Sequence, residues 1–235
     1  MNALANAEVG KFINENFCSS FQRVATFRIV GNQKQGGNVA AYLCAPDGRV
    51  LHCIAGPVNA PTMLKEAKWV VDTAHKAVKE CKGDGAVFKS LMRKAHAERV
   101  RSDYGLVVEA VAYDDYEDQD ANSALTYRDP TGRPLAPKLP PPPITGPDVK
   151  LLHLQETAKS AAGAVAVKDA KGKQWALPNQ GRVSLLLAAH GMAKIETIYG
   201  AVFEGILGER ITTRPVEVVD PFPGRGKIKG PVLTK

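Results

Sequence analysis

The proline-rich stretch "RDPTGRPLAPKLPPPPITGPD", residues 128–148, is the feature that most constrains how this chain can fold. It holds eight prolines, and each proline fixes its own φ and removes a backbone donor. Such a segment can be neither a helix nor an inner strand, so we expect an extended, polyproline-like linker or arm. The boundary predicted there separates residues 1–127 from a smaller unit over 149–210.

The segment before this boundary predicts a helix, three strands and a long helix. Helical spacing of apolar residues, β-branched content and the turn signal "APDG" indicate these elements. The predicted elements are a helix over 2–17, a strand over 21–30, a loop over 31–38, strands over 39–44 and 49–56, and a helix over 59–81. A further helix over 86–101 and a strand over 105–113 complete the first domain.

The segment after the boundary predicts a small, mostly helical unit. We expect a helix over 149–161, a hairpin over 163–178, and two short helices within 182–210 that break near Gly191. Residues 211–235 have proline and glycine spacing that favours an extended tail, an arm that is either free or laid on a surface. The predicted fold class is therefore α/β, and in detail α+β.

Part of this order resembles a known superfamily. The helix "VGKFINENF", the stretch "GGNVAAYLCAPDGRVLHCIAG" and the helix beginning "NAPTMLKEAKW" resemble the thioredoxin-like superfamily over roughly residues 3–80. The resemblance implies a redox Cys-x-x-Cys at the start of the first long helix and a proline, usually cis, before the hairpin. This chain has no cysteine at the matching place near Met1, and Val39 stands where that proline would be. We therefore expect a degenerate thioredoxin-like domain without dithiol–disulfide exchange.

The predicted sheet lacks a strand. The family's central strand, which precedes the first helix, has no counterpart here, and the loop over 31–38 is shorter than the ~10–12 residues of a parallel crossover. The strands can then form an antiparallel meander or leave a gap. We expect "GLVVEAVAY", residues 105–113, or a strand from another subunit to complete the sheet.

Cys44 and Cys53 are the thiol candidates. With "APDG" as a four-residue loop, Cys44 faces Arg49 and Cys53 faces Ala40, which separates the thiols by ~13 Å along the strands. A disulfide requires a Cα separation below ~7 Å. We interpret both residues as small strand residues of the scaffold.

Charge patterning favours an interaction partner. The net charge is +7; residues 76–101 carry eight basic against three acidic residues, and residues 103–120 carry seven acidic and no basic residues. Such blocks can attract one another within or between chains. Nucleic-acid binding by the basic block is the less favoured alternative, because aromatic residues are not interleaved with it.

Several side chains are candidate interface anchors. They are Trp69, Trp175, Pro140, Pro141, Pro142 and Pro143. We predict no catalytic set, no cofactor site and no metal site, since the histidines are scattered and no pair has metal-ligand spacing.

No signal peptide pattern and no apolar run of ~18 residues is present, and four cysteines without CxxC spacing do not predict a disulfide framework. We expect a cytoplasmic protein without a membrane span, with a removed leader as the open alternative. The predicted function is a non-catalytic binding or assembly module that self-associates through its extended arms and by sheet completion, or that binds a protein partner. The alternative is an enzyme: a thiol-dependent oxidoreductase or peroxidase relative, or the C-terminal part of one.

Overall fold

A two-stranded antiparallel hairpin lies between two layers of helices. The computed structural model describes residues 3–24, 28–30, 33–35, 38–108, 139, 142, 144–147, 165–168, 174–209, 211 and 217–219. The hairpin consists of β3 (Ala40–Cys44) and β4 (Val50–Ala55), which confirms the strands predicted over 39–44 and 49–56 to within one residue. Gly48 adopts φ +83° and its N–H donates to the carbonyl of Ala45, so the left-handed position in the turn requires a glycine.

Helices α1 and α2 cover one face of the hairpin. Helix α1 (Ala7–Asn16) follows a short 3₁₀ turn (Ala3–Ala5), because the side chain of Asn6 caps the new helix. Helix α2 (Ala60–Cys81) begins after Asn59, whose side chain accepts from the N–H of Thr62. The core on this face contains Val9 from α1, Leu43 and Ile54 from the hairpin, and Met63 and Val70 from α2. Both helices were predicted, and their apolar stripes face the sheet as the spacing indicated.

Helices from the C-terminal part of the chain cover the other face. Helix α4 (Asn179–His190) and helix α5 (Ile195–Gly200), which continues as a π-helix (Ala201–Ile206), confirm the break near Gly191. Their core contains Leu187, Ile198 and Val202 together with Val50 and Cys53 of β4. The C-terminal helices therefore do not enclose a separate core: the unit predicted over 149–210 shares the core of the hairpin.

Helix α3 (Gly85–Tyr104) connects the two layers. Asp84 caps its start, and Gly105 ends it in the left-handed conformation. It packs against both α2 and α4. The short strand β5 (Leu106–Val108) follows directly.

Part of the proline-rich segment belongs to this same body. Residues Ile144–Pro147 form β6, which pairs antiparallel with β5, and Leu139 and Pro142 are buried. The interpretation of 128–148 as a connector is thus corrected for these residues. A two-stranded sheet accepts Pro147 because both of its strands are edges.

The position of β5 contradicts the prediction that residues 105–113 complete the sheet of the hairpin. Residues 106–108 pair with β6 and not with the β3–β4 hairpin. Residues 109–113 lie outside the described residues. Within the described part of the chain, the hairpin has only two strands. The other alternative, that a strand from another subunit completes the sheet, stays a prediction.

A third sheet contains residues predicted as loop and tail. Strand β1 (Arg28–Val30) pairs antiparallel with β2 (Gln33–Gln35) and parallel with β9 (Glu217–Val219). The loop prediction over 31–38 missed β2, because its three polar residues carry no alternating pattern. Residues 217–219 pair with β1 and Ile211 is buried, so at these positions the tail is laid on the rest of the chain, which is one of the two predicted alternatives. The strand predicted over 21–30 begins only at Arg28 among the described residues.

The hairpin predicted over 163–178 is confirmed, with β7 (Val165–Lys168) paired to β8 (Gln174–Leu177). The helix predicted over 149–161 lies outside the described residues. Helices and small sheets together make the fold α+β. A search of the described helices for a segment long and apolar enough to cross a membrane finds none.

Candidate functional site

The register of the hairpin places the two thiol candidates closer than the sequence predicted. Cys53 lies opposite Tyr42, and Cys44 lies opposite Val50, because β4 has one extra residue, Leu51, between the pairs Leu43–His52 and Cys44–Val50. The predicted partners, Ala40 for Cys53 and Arg49 for Cys44, were wrong. This β-bulge turns Val50 and Cys53 to the same face, where both enter the core.

Both thiols are held in their protonated form. Burial raises the pKa of Cys53. Burial, followed by the carboxylates of Glu196 and Asp47, raises the pKa of Cys44 to about 11. Since the thiolate is the nucleophile, neither residue is prepared for thiol chemistry at neutral pH.

A charged network is buried beneath the other face of the hairpin. Glu66 of α2 accepts from Arg99 Nη2 at 2.6 Å and lies 2.7 Å from His52 Nε2, and Arg99 Nε contacts Asp103 at 3.3 Å. Glu66 and Arg99 are 3% and 8% exposed, and His52 is fully buried. Burial alone raises the pKa of the Glu66 carboxyl, but the hydrogen bonds and charges of His52 and Arg99 lower it to about 2. Glu66 and Arg99 are therefore both ionised, and their opposite charges compensate one another.

Aromatic rings enclose this network. The ring of Trp69 lies 4.9 Å from His52 and 5.0 Å from His96, between ring centres, and the guanidinium carbon of Arg99 lies 4.3 Å from the centre of the same ring. His96 uses Nε2 to donate to the carbonyl of Leu51 at 2.9 Å. Leu51 is the extra residue of the β-bulge, so the hydrogen bond from His96 joins α3 to the bulge itself.

Gln180 covers the outer edge of β4. Its Nε2 donates to the carbonyl of Cys53 at 2.7 Å, and its Oε1 accepts from the N–H of Ala55 at 3.4 Å. The primary amide thus takes the two backbone groups that a neighbouring strand would use. Further along the same edge, the N–H of Val50 donates to Ala193 and its carbonyl accepts from Met192.

Within the described part of the chain, no side chain or strand covers the outer edge of β3 in this way. The N–H of Gly56 donates to the carbonyl of Val39 at 2.8 Å. In an antiparallel pair, every second residue bonds to the partner strand, so the backbone groups of Ala40, Tyr42 and Cys44 point away from β4. No described segment forms backbone hydrogen bonds with this edge. Asn38 precedes β3 and holds the start of this strand in place, because its backbone and side-chain N–H groups both donate to Glu209 Oε2.

The predicted interface residues have different environments. Trp69 is half-buried and belongs to the ring cluster around the charged network. Trp175 lies in β8 opposite Val167. Pro142 is buried, and Pro140, Pro141 and Pro143 lie outside the described residues.

Sequence reasoning missed Glu66, Arg99 and Gln180. One signal was available for Glu66: it stands three residues after Met63 and four before Val70, on the apolar stripe of α2. An acidic residue on a buried stripe requires a partner. No sequence pattern names Arg99 or Gln180 as that partner, because both come from distant elements.

No group of three or more His, Cys, Asp or Glu side chains within the described ranges is arranged to hold a metal ion. No protein-family model, curated protein or solved structure matches this chain.

Proposed function

We propose that this chain is a non-catalytic binding module that associates with a second copy of itself by strand addition at the outer edge of β3. The observation that carries the proposal is the difference between the two edges of one hairpin. Gln180 and residues 192–193 occupy the edge of β4, whereas the backbone groups that Ala40, Tyr42 and Cys44 direct outward have no backbone partner among the described residues. An unprotected edge is a template for another strand.

The sequence of β3 supports self-association. Natural edges are protected by lysines, prolines or bulges on the exposed strand, and Ala40–Cys44 contains no charge and no proline. Antiparallel pairing centred on Tyr42 places Ala40 of one copy opposite Cys44 of the other. No like charges then face each other within the strand, and such charges would oppose pairing.

The chemistry of the thiols supports a non-catalytic role. The raised pKa values of Cys44 and Cys53 disfavour the thiolate that a thiol enzyme needs. We retain a degenerate thioredoxin-like domain as the proposed family, supported by the order of α1, the β3–β4 hairpin and α2 and by the packing of both helices on one hairpin face. The extended arms no longer support assembly where they are docked within the chain, at Ile144–Pro147 and Glu217–Val219.

The test is the mass in solution of the wild type, Ala40→Pro and Ala40→Ser, measured by sedimentation over a wide range of protein concentrations. Proline at position 40 removes an outward N–H and breaks no hairpin hydrogen bond, and serine keeps that N–H. We expect the wild type and A40S to dimerise and A40P to remain monomeric with an unchanged circular dichroism spectrum. A wild type that stays monomeric up to millimolar concentration would refute the proposal.

Ionic strength separates this interface from one formed by the charge blocks. Backbone pairing at an uncharged strand is insensitive to salt, whereas attraction between charge blocks is screened. We expect the dimer mass to persist at high salt. Dissociation by salt would assign the interface to the charge blocks and overturn the assignment to β3.

A further inference from the structure

Two fully buried histidines connect α3 to the hairpin. His96 of α3 donates from Nε2 to the carbonyl of Leu51 in β4 at 2.9 Å, and its ring stacks on that of His52, also in β4, with centres 5.4 Å apart. Neither imidazole has any exposed surface. The contact between α3 and β4 therefore depends on two side chains of a type whose charge changes near neutral pH in water.

The apolar cores on the two faces of the hairpin depend little on α3. The core shared with α1 and α2 receives one fully buried residue from α3, Met92, with Phe88 and Leu91 partly buried against it. Among the described residues, the core shared with α4 and α5 receives none from α3. Val100 of α3 belongs to a third core, at the C-terminal end of the helix. Both faces of the hairpin can therefore stay covered when α3 moves away from β4.

Protonation would leave each ring with a buried donor that lacks an acceptor. An imidazolium carries an N–H on both nitrogens, whereas Nδ1 of His52 and Nδ1 of His96 have no hydrogen-bond partner among the described residues. At Nε2 of His52 the Glu66 carboxylate is an acceptor, but the Gln180 amide nitrogen, 3.2 Å away, is itself a donor. Both rings therefore fit this core in their neutral form.

The charges around the two rings also oppose protonation. Among the described residues, the polar groups that face the rings or the adjacent ion pair are Glu66 of α2, Arg99, Asp103 and Tyr104 of α3, and the uncharged Gln180 amide of α4. The Glu66 carboxylate already accepts from Arg99, whose guanidinium lies over Trp69. With both histidines protonated, three positive charges would lie next to this indole ring against one buried carboxylate, since Asp103 is more exposed. Burial is the main reason why the pKa of His52 is lowered and that of His96 falls to about 3, and the charge of Arg99 lowers both further.

We propose that His52 and His96 form an acid-operated latch, which holds α3 against β4 while both rings are neutral and releases it at mildly acidic pH, when each ring takes up a proton. Once α3 moves away, both imidazoles reach water, where they bind protons near pH 6.5. Release then takes up two protons, so its equilibrium constant rises about 100-fold for each pH unit of acidification below about pH 6, against about tenfold for a single histidine. Acid thus favours the released form and neutral pH the closed one. The latch is independent of the strand edge at β3.

The test compares two buried thiols in one chain: a reporter introduced by Met92→Cys, where α3 enters the hairpin core, and the native Cys53 in the opposite core. A pyridyl disulfide reagent labels each thiol, and peptide mass spectrometry gives its rate, divided by the rate in the denatured chain at the same pH. From pH 6 to pH 5, where carboxyl groups of ordinary pKa stay ionised, we expect labelling at position 92 to rise about 100-fold and to stay well ahead of Cys53. Equal rates at the two thiols would show global unfolding alone and would overturn the latch.

Two histidine variants of the M92C chain count the protons. His96→Gln removes one titrating ring while its amide can still donate to the carbonyl of Leu51, so the rise should fall to about tenfold. His75→Gln, on the exposed face of α2, should keep the rise of about 100-fold. A rise that is as steep in H96Q as in its parent, or a parent that shows no rise, would refute the proposal.

Trp69 gives a second measurement in a chain whose α3 is unchanged, and it decides the question if M92C or H96Q does not fold. Trp175→Phe leaves Trp69 as the only tryptophan, and release uncovers its ring because His96 and Arg99 leave it. We expect acrylamide quenching of Trp69 to increase reversibly between pH 7 and pH 4.5 while Cys53 stays unlabelled. Constant quenching over this range would overturn the proposal, and so would labelling of Cys53 with the same midpoint.

Discussion

Arg99 Nη2 donates to Glu66 Oε1 over 2.6 Å, although the two residues are 33 positions apart and lie on different helices. This contact joins α3 to α2 below the hairpin, and His52 extends it into β4. A buried ion pair contributes little net stability, yet removing one partner leaves an uncompensated charge in the core. The arrangement of α2, α3 and β4 therefore depends on a polar contact inside an apolar core.

Neutralising Glu66 should be strongly destabilising. Glu66→Gln preserves the shape of the side chain but leaves the Arg99 guanidinium with only the more exposed carboxylate of Asp103 as a counter-charge, and we expect a loss of about 3–5 kcal/mol in the free energy of unfolding, measured by urea denaturation. The control is Glu15→Gln, which removes an exposed partner of Lys11 and should cost no more than ~1 kcal/mol. Equal effects of the two variants would contradict the role of the buried pair.

Acidification should destabilise the fold before the carboxylates titrate. Burial is the main reason why both histidines have a lowered pKa. The pKa of His52 is below its usual value, and the pKa of His96 falls from 6.5 to about 3. Below pH 6.5 the unfolded chain binds protons that the folded chain does not, so the free energy of unfolding falls as pH falls. Each such histidine contributes up to about 1.4 kcal/mol per pH unit. Urea midpoints measured from neutral pH down to pH 4 should decrease steadily, and a constant midpoint would show that the histidines do not titrate as the structure implies.

The cysteines should differ in reactivity in the native protein. Cys18 is exposed, whereas Cys53 is buried and Cys44 is partly buried with its pKa raised to about 11. We expect iodoacetamide at neutral pH to modify Cys18 in the folded chain, and Cys44 and Cys53 only after unfolding, as located by peptide mass spectrometry. Rapid native modification of Cys44 would instead favour the thiol-enzyme alternative.

Gln180 should protect the outer edge of β4. In Gln180→Leu the carbonyl of Cys53 and the N–H of Ala55 lose their partner, and the expected cost is about 1–3 kcal/mol. The amide hydrogen of Ala55 should also exchange faster with deuterium than in the wild type. Asn16→Ala is a suitable control, since that side chain makes only an exposed bond to the carbonyl of Phe12. Unchanged exchange at Ala55 in Q180L would show that Gln180 is not the cap.

The sequence by itself determined the elements whose signals are local. The caps Asn59 and Asp84 and the "APDG" turn give α2, α3 and the β3–β4 hairpin their positions, because capping and turn geometry depend on neighbouring residues only. Helical periodicity likewise identified the buried stripe of α2.

Only the tertiary structure decided the register and the polar contacts. The extra residue Leu51 in β4 is not visible in a strand pattern, and it changed the partners of Cys44 and Cys53. The pairing of β5 with residues 144–147, and the contacts of Glu66 with Arg99 and of Gln180 with β4, join residues that are far apart in the chain. Such contacts are selected by the shape of the packed core and by the cost of an unpaired buried group, and neither exists before the chain folds.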